Sequence, residues 1–511
     1  MHEPSVPPWW RESVIYQVYP RSFADGNGDG IGDLPGLIGR LDYLQGLGVD
    51  ALWLSPIYRS PMADAGYDIS DHRAVDPLFG RLEDVDRLLA EAHGRGLRVL
   101  LDFVPNHTSD RHPWFVESRS SRDNPKRDWY LWRDQPNNWR AAIGGGSAWT
   151  WDEGSQQYYL HFFLPQQPDL NWHNPQVVAA MHGVLRFWLE RGVDGFRIDV
   201  AHCIGKDPRF ADDPRCLAGE VMAHINDQPY SHELLRGLRR LVDGYPGERV
   251  LVGEVNIRST ERIVEYYGAG DELHMAFNFL PLDAPWDAVT FRLCIREVEA
   301  LLGAARSWPT WVLSNHDSSR HRSRYGGSLR RARAAAVLLL TLRGTPFVYQ
   351  GEELGLEDAQ VTPQTRVDPG GRDGSRAPLP WLREPPHGWN GARPWLPFPP
   401  DAAALSVEAQ EASEHSTLRL YRRLLAIRRA SPALRLGDWQ ELPSHPEVLA
   451  YRRQRGGDLR IVCINFAGRP HAFPLAGAWQ VEIASDGQGD GASFGGALAA
   501  EQALILKPRE G

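Results

Sequence analysis

GFRIDVAH (195–202) sets Arg197 and Asp199 two residues apart in a short apolar run, and in an extended strand that spacing puts both charged groups on one face. Seven more β-rich apolar runs punctuate the first 350 residues: 14–19, Ala51–Leu54, 99–104, 250–255, 275–279, 311–314 and 347–350. Amphipathic stretches separate them, such as 82–95, with apolar residues at helical spacing, and 177–191, which follows a proline. Eight strands alternating with helices predict a parallel (β/α)8 barrel. An open doubly wound sheet has the same alternation and is the competing architecture.

Two segments interrupt the alternation. About seventy residues rich in Trp, Tyr, Pro and Asn follow the third run, too long for a structureless loop, so 105–172 is read as an inserted domain. Residues 358–400, dense in Pro and Gly after the eighth run, read as a lid. From about residue 436 short alternating strands, as in 459–465 and 479–484, predict a small antiparallel β-sandwich. The expected division is therefore 1–104 and 173–435 for the barrel, 105–172 for the insertion and 436–511 for the C-terminal β domain. No internal repeat is present.

At 511 residues the chain exceeds the roughly 250–300 over which a single core grows, consistent with that division. The net charge of −9 and the lack of a Lys/Arg-rich run argue against nucleic acid as partner. No stretch is long and apolar enough to span a bilayer, and the N-terminal residues have neither a basic nor an apolar leader region, so a cytoplasmic location is expected. Cys203, Cys216, Cys294 and Cys463 lack CxxC spacing, which indicates neither a zinc site nor a disulfide framework. Nineteen tryptophans exceed the usual share and supply both core volume and flat apolar faces for ligands. The sequence carries no signal for an oligomeric state.

Barrels place their chemistry at the C-terminal ends of strands. Four runs end in polar clusters: DFVPNH (102–107), GFRIDVAH (195–202), GEV (253–255) and SNHDSSR (314–320). A lone strand-end Asp is more often a cap or an ion-pair partner. Four such clusters, on runs three, four, five and seven in this order, form a specific pattern.

With QPDLNW (167–172), GTPFVYQGEE (344–353) and the N-terminal WWRESVIYQVYPRSFADGNGDGIGDL, these clusters resemble glycoside hydrolase family 13, the α-amylase family, over nearly the whole length. The QPDLN form resembles its α-glucosidase and oligo-1,6-glucosidase branch. The resemblance implies Asp199 as nucleophile, Glu254 as general acid/base and Asp317 as the carboxylate that holds the sugar 2- and 3-hydroxyls. It further implies His107 and His316 as sugar-binding histidines and Tyr67 as the platform on which the terminal glucose stacks. Arg197, two residues from Asp199 on the same strand face, is expected to favour the ionised carboxylate by its charge. Asp64 and an arginine of GRDGSRAPLPW, Arg376 in preference to Arg372, are implied to close the pocket around the terminal glucose and so impose exo-action. The implied ligand is a small-molecule α-glucoside. Chemically, retention needs two carboxyl groups about 5–5.5 Å apart, one attacking and one protonating.

The loop DGNGDGIGD has oxygen donors at alternate positions, Asp25, Asn27, Asp29 and Asp33, with the Ile31 carbonyl between them and Gly30 at a sharp turn. This is the pattern of a structural Ca2+ loop, with Mg2+ as the alternative ion and a metal-free Asx-turn as the bland reading. Gly36 stands where a full EF-hand has its bidentate Glu. Three departures from the family pattern bear on specificity: Ile143 in place of an aromatic, RAPLPW in the lid, and Val200 after the nucleophile. The expected activity is exo-acting hydrolysis of maltose-like sugars with linkage preference open. A transglucosidase or sugar isomerase using the same covalent intermediate is the alternative.

Overall fold

The computed structural model describes residues 7–213, 224–257, 259–389, 391 and 393–509; Cys216 lies outside them. Eight parallel strands form one sheet: β1 (Ile15–Val18), β2 (Ala51–Leu54), β3 (Arg98–Phe103), β4 (Gly195–Ile198), β5 (Val250–Gly253), β6 (Met275–Ala276), β7 (Thr310–Val312) and β8 (Thr345–Tyr349). Their order is β6-β5-β4-β3-β2-β1-β8-β7, so neighbours in space are neighbours in sequence and β1 lies beside β8. A doubly wound sheet would reverse direction partway; this order runs around a closed (β/α)8 barrel. At the remaining seam Thr310 Oγ1 donates to the Ala276 carbonyl at 2.7 Å.

Closure is equally visible in the interior. Ile15, Trp53, Leu100, Val252, Met275, Val312 and Phe347 form one apolar cluster that draws on every strand except β4. On β4 the inward positions are Gly195 and Arg197, because Phe196 and Ile198 pack outward against the helices. Gly195 has no room for a side chain, since a Cβ there would lie 2.3 Å from the Val250 carbonyl oxygen. The period of two then dictates what happens one step up the barrel: Leu100 is followed inward by Asp102, Arg197 by Asp199, and Val252 by Glu254. The floor is apolar and the rim is charged.

Helices α1 (Leu41–Leu47), α2 (Leu82–Gly94), α3 (Pro175–Glu190), α4 (Pro229–Asp243), α5 (Thr260–Glu265), α6 (Ala288–Ala304), α7 (Leu329–Thr341) and α8 (Thr417–Ala430) follow the eight strands in turn. Helix α2 buries Val85, Leu88, Leu89 and Ala92, a single stripe at helical spacing. Helix α3 starts on Asn174, whose side chain accepts from Gln176 N, with Pro175 at the first position where its missing N–H costs nothing. Among the described residues no helix is long and apolar enough to cross a membrane.

Between β3 and α3 a three-stranded antiparallel sheet (Trp132–Arg133, Gln157–Leu160, Trp149–Asp152) builds the inserted subdomain. Its core of Leu131, Trp139, Trp149, Leu160 and Phe162 reaches Val200 and Cys203 just beyond β4, which seats it beside the barrel rim. The segment after β8 crosses the same rim, tied by Leu379 N to Ser22 O (3.0 Å) and Trp381 Nε1 to Phe23 O (2.7 Å).

The C-terminal sheet has the order β9-β10-β11-β13-β12, with β9 (Asp438–Glu441), β10 (Val448–Arg455), β11 (Asp458–Asn465), β12 (Trp479–Ala484) and β13 (Ala503–Pro508), all antiparallel. Its two faces separate by alternation: Leu449, Tyr451, Val462, Ile464 and Ile505 join the main core, while Val448, Ala450, Cys463, Leu504 and Leu506 form a second one. A two-stranded ribbon, His471–Ala472 with Ala497–Leu498, covers part of that second face. The sandwich expected from the strand pattern therefore has a ribbon as its outer layer. On the inner face Tyr451 OH meets Thr341 Oγ1 of α7 at 2.6 Å.

Candidate active site

The rim carboxylates converge on one guanidinium. Arg197 Nη1 lies 2.8 Å from Asp102 Oδ1 and 2.7 Å from Asp199 Oδ1, while its Nη2 lies 2.6 Å from Glu254 Oε2. Register explains the meeting: Asp102 pairs with Arg197 across β3 and β4, and Gly253 pairs with Ile198 across β4 and β5, so Asp199 and Glu254 leave adjacent strands at one level. The backbone then turns sharply. Val200 sits at φ 36°, ψ 50°, a left-handed conformation that costs a β-branched residue about 1–2 kcal/mol. The turn aims its N–H at Glu254 Oε2 (3.1 Å), and the next amide, Ala201 N, donates to the Glu254 carbonyl (2.9 Å).

Three carboxyl groups share one cation in a buried cleft, so burial and their mutual repulsion work against the attraction of Arg197. Burial pushes Asp102 up to about 6, against the pull of Arg197. Burial also raises Asp199 well above the usual carboxylate range; Arg197 opposes that rise, and the Glu254 and Asp102 charges reinforce it. The charge that the sequence assigned to Asp199 is thus divided among three partners.

Asp317 is held the other way. Burial acts to raise it, yet His316, Arg372, Arg376 and Arg197 together keep its carboxyl below the usual range. Arg372 Nη1 and Arg376 Nη2 lie 3.0 and 2.9 Å from its Oδ1, and His316 Nε2 lies 3.2 Å from Oδ2. The His316 ring is pinned between Gln17 Nε2 (2.8 Å from Nδ1) and Tyr67 OH (2.6 Å from Nε2), and Tyr67 stacks on it at 5.4 Å between centroids. Tyr67 OH also donates to Asp102 Oδ2 (2.9 Å), which links β3 to β7 through one phenol. Burial lowers His316 to about 3, against the pull of the Asp317 charge. Burial, with Lys206 nearby, does the same to His107, whose Nε2 lies 3.0 Å from Gln167 Nε2.

At the mouth, Asp64 is gripped by Arg372, with Nη2 to Oδ1 at 2.5 Å, and its other oxygen accepts from Gln167 Nε2 at 2.9 Å. The expected Asp64–Arg376 pair is corrected: Arg372 is the partner. Arg376 is fully buried behind the site, its Nε donating to the His316 carbonyl (2.7 Å) and its Nη2 bonded to Asp317. The intervening turn explains the exchange, because Arg376 N donates to Asp373 O and the chain folds inward there, leaving Arg372 toward the mouth.

A model of the α-amylase catalytic domain matches residues 17–437. The chain belongs to the α-amylase family. It is a glycoside hydrolase, and the match covers the barrel, the insertion and the rim segment. A protein of Rhizobium meliloti (strain 1021) described as a probable α-glucosidase is 45% identical over 89% of each chain. Among solved structures, an α-glucosyl transfer enzyme, XgtA, superposes with a TM-score of 0.92 at 43% identity, covering 99% of this chain and all of that one. The trehalulose synthase MutB from Pseudomonas mesoacidophila MX-45 superposes with a TM-score of 0.93 at 36% identity over 99% and 100% of the two chains.

The structure brings Asp64, Tyr67, His107, Arg197, Asp199, Glu254, His316, Asp317 and Arg376 into one connected network. Asp102, Gln17, Gln167 and Arg372 belong to the same network and were given no role, or second place, from sequence. Signals for three of them were present: Asp102 lies near the C-terminal end of β3, Gln17 is a polar residue buried inside an apolar run, and Gln167 opens the QPDLN motif.

The loop 25–33 carries a hydrogen-bond network of its own. Asp25 Oδ1 and Oδ2 accept from Gly28 N (2.6 Å) and Gly30 N (2.9 Å), Asn27 Oδ1 accepts from Asp29 N, and Asp29 Oδ1 from Ile31 N (both 2.8 Å). Asp33 caps the following helical turn through Gly36 N (2.7 Å). Burial raises the Asp33 carboxyl, backbone amides oppose this, and repulsion from the charges of Asp25 and Asp29 adds to the rise.

Proposed function

We propose that this chain is an exo-acting retaining α-glucosidase that removes terminal glucose from maltose-like disaccharides and short oligosaccharides. The reading rests on one observation: Asp199 and Glu254 leave adjacent strand ends onto the two arms of one guanidinium, with Arg372 and Asp64 spanning the mouth beside them. In the first step Glu254 protonates the glycosidic oxygen while Asp199 Oδ attacks the anomeric carbon, giving a β-glucosyl ester and a free sugar alcohol. Glu254, now a carboxylate, takes a proton from water, whose oxygen displaces Asp199 and releases α-glucose. The Val200 N–H and Arg197 Nη2 both stabilise the ionised Glu254 that this second step needs. Asp317, kept ionised by its arginines, accepts from the 2- and 3-hydroxyls, contacts that strengthen as positive charge grows on the ring. Tyr67 supplies the apolar face below the glucose, and His107 and His316 its polar contacts. The barrel segments 1–104 and 173–435 carry the chemistry, with the insertion 105–172 walling one side. Hydrolysis of p-nitrophenyl α-glucoside followed by NMR tests the scheme; α-glucose as the first anomer is expected, and β-glucose first would exclude retention.

A second reading has specific support in the described activities of the glucosyl transfer enzyme and the trehalulose synthase that this chain resembles. Both would use the same ester and offer it a sugar hydroxyl instead of water. Product profiles on maltose and sucrose separate the two, since disaccharide isomers in place of glucose would favour transfer.

We also assign a structural Ca2+ to Asp25, Asn27, Asp29, the Ile31 carbonyl and Asp33. The all-oxygen donor set fits a hard cation, and the mutual repulsion of its carboxylates is what such an ion relieves. Chelation should lower Tm and added Ca2+ restore it more fully than Mg2+. A cytoplasmic location is supported by the free thiols of Cys203, Cys294 and Cys463.

A further inference from the structure

His445, Glu447 and His471 stand together at the edge of the C-terminal domain, remote in sequence from every residue assigned above. Each offers one ligand atom, and the three atoms lie within 4.8 Å of one another. His471 Nε2 is 3.0 Å and His445 Nδ1 is 3.8 Å from the same oxygen, Glu447 Oε2. The two imidazoles stack at 4.2 Å between centroids. Donors about 2.0–2.1 Å from a tetrahedral ion stand roughly 3.3–3.4 Å apart, so these two separations straddle the spacing that a Zn2+ ion imposes.

The supports are held in place. Val448 N donates to the His445 carbonyl at 2.8 Å, closing a tight turn around Pro446, and Arg292 Nη2 of α6 donates to the Val448 carbonyl at 2.7 Å. His471 comes from the ribbon that covers the second core. The Glu447 N–H donates to the lone pair of His445 Nδ1 (3.2 Å), a hydrogen bond that an ion bound at that nitrogen displaces. One cationic side chain competes: Arg469 Nη2 lies 2.7 Å from Glu447 Oε2, on a side chain that is 68% exposed and free to swing aside.

We propose that His445, Glu447 and His471 form a three-ligand site for a borderline divalent transition-metal ion, Zn2+ foremost, with water as fourth ligand, clamping the β9–β10 turn to the ribbon. Two imidazoles among three donors select against Ca2+ and Mg2+, so this site is chemically distinct from the all-oxygen loop at 25–33.

The test uses the full chain, stripped with chelator and resupplied with excess Ca2+, then titrated calorimetrically with ZnCl2. The wild-type chain should bind one more equivalent of zinc than the His445→Ala/His471→Ala double variant, and Zn2+ should raise the Tm of the first and leave that of the second unchanged. Co2+ should give a tetrahedral-type visible spectrum with the wild-type chain that the double variant lacks. Arg469→Ala should tighten binding by removing the competing charge. Activity on p-nitrophenyl α-glucoside, unchanged in both variants, reports that they fold. Equal stoichiometry in wild type and double variant, or no zinc uptake by the wild type, would overturn the assignment.

Discussion

Arg372→Lys keeps the charge at the pocket mouth and removes its geometry. Arg372 reaches three carboxylates at once: Nη1 to Asp317 at 3.0 Å, Nη2 to Asp64 at 2.5 Å, and Nη2 with Nε to the two oxygens of Asp368 at 2.6 and 2.9 Å. A lysine ammonium is a single point and cannot span them. Hydrogen bonds to charged groups contribute about 1.5–3 kcal/mol each. Arg376 still holds Asp317 and Asp368, and Gln167 still holds Asp64, so the net loss is about one such bond. At about 1.4 kcal/mol per factor of ten, kcat/KM should fall roughly 10- to 150-fold. Steady-state kinetics on p-nitrophenyl α-glucoside and maltose measure this. KM carries the change if the loosened Asp64 grips the terminal glucose in ground and transition states alike, and kcat carries it if Asp317 is displaced. Thermal unfolding of the variant checks that the fold is intact. A folded Arg372→Lys enzyme with kcat/KM within about twofold of wild type would refute the claim that this fork, rather than Arg376, organises the mouth.

Asp199→Ala should lower kcat by about four orders of magnitude or more, as loss of a covalent nucleophile does, with Tm little changed or raised because one buried carboxyl is gone. Glu254→Gln should cost roughly 10²–10⁴-fold on maltose and far less in the first step with p-nitrophenyl glucoside, whose leaving group needs little protonation; equal losses on both would argue against an acid role. Asp227 and, at the shorter distance of 2.7 Å, Glu272 lift His232 to about 9. A raised folded value means this contribution to stability is complete below about pH 6.5 and is lost as pH rises toward 9. Denaturant midpoints of His232→Asn should therefore fall less steeply than wild type across that window. Thr310→Val deletes the hydroxyl that bridges the β6–β7 seam, and should destabilise by about 1–3 kcal/mol in urea unfolding without changing KM.

Much of this enzyme could be read along the chain because its two determinants are local. Strand alternation is a property of consecutive residues, so a run that ends Ile198-Asp199 or Gly253-Glu254 announces a charged group at the rim before any neighbour is known. Helix α2 and the caps of α3 follow from spacing within single stretches, and the motif order gave the family. The eight runs still left barrel and open sheet unresolved, since closure is a relation between β6 and β7 and between β1 and β8 that no single run contains.

What only the tertiary structure decided was partnership. Arg197 was legible as the neighbour of Asp199, but its division among Asp102, Asp199 and Glu254 depends on the register of three strands. The choice between Arg372 and Arg376 turned on how one irregular segment folds over the rim, where no periodicity constrains direction. The approach of His471 to His445 and Glu447 likewise arises from a ribbon laid across a sheet. Covalent sequence fixes which groups can ionise, donate or stack; which of them share a proton or an ion is set by distances across the fold, because electrostatic and hydrogen-bond energies depend on separation in space and not along the chain.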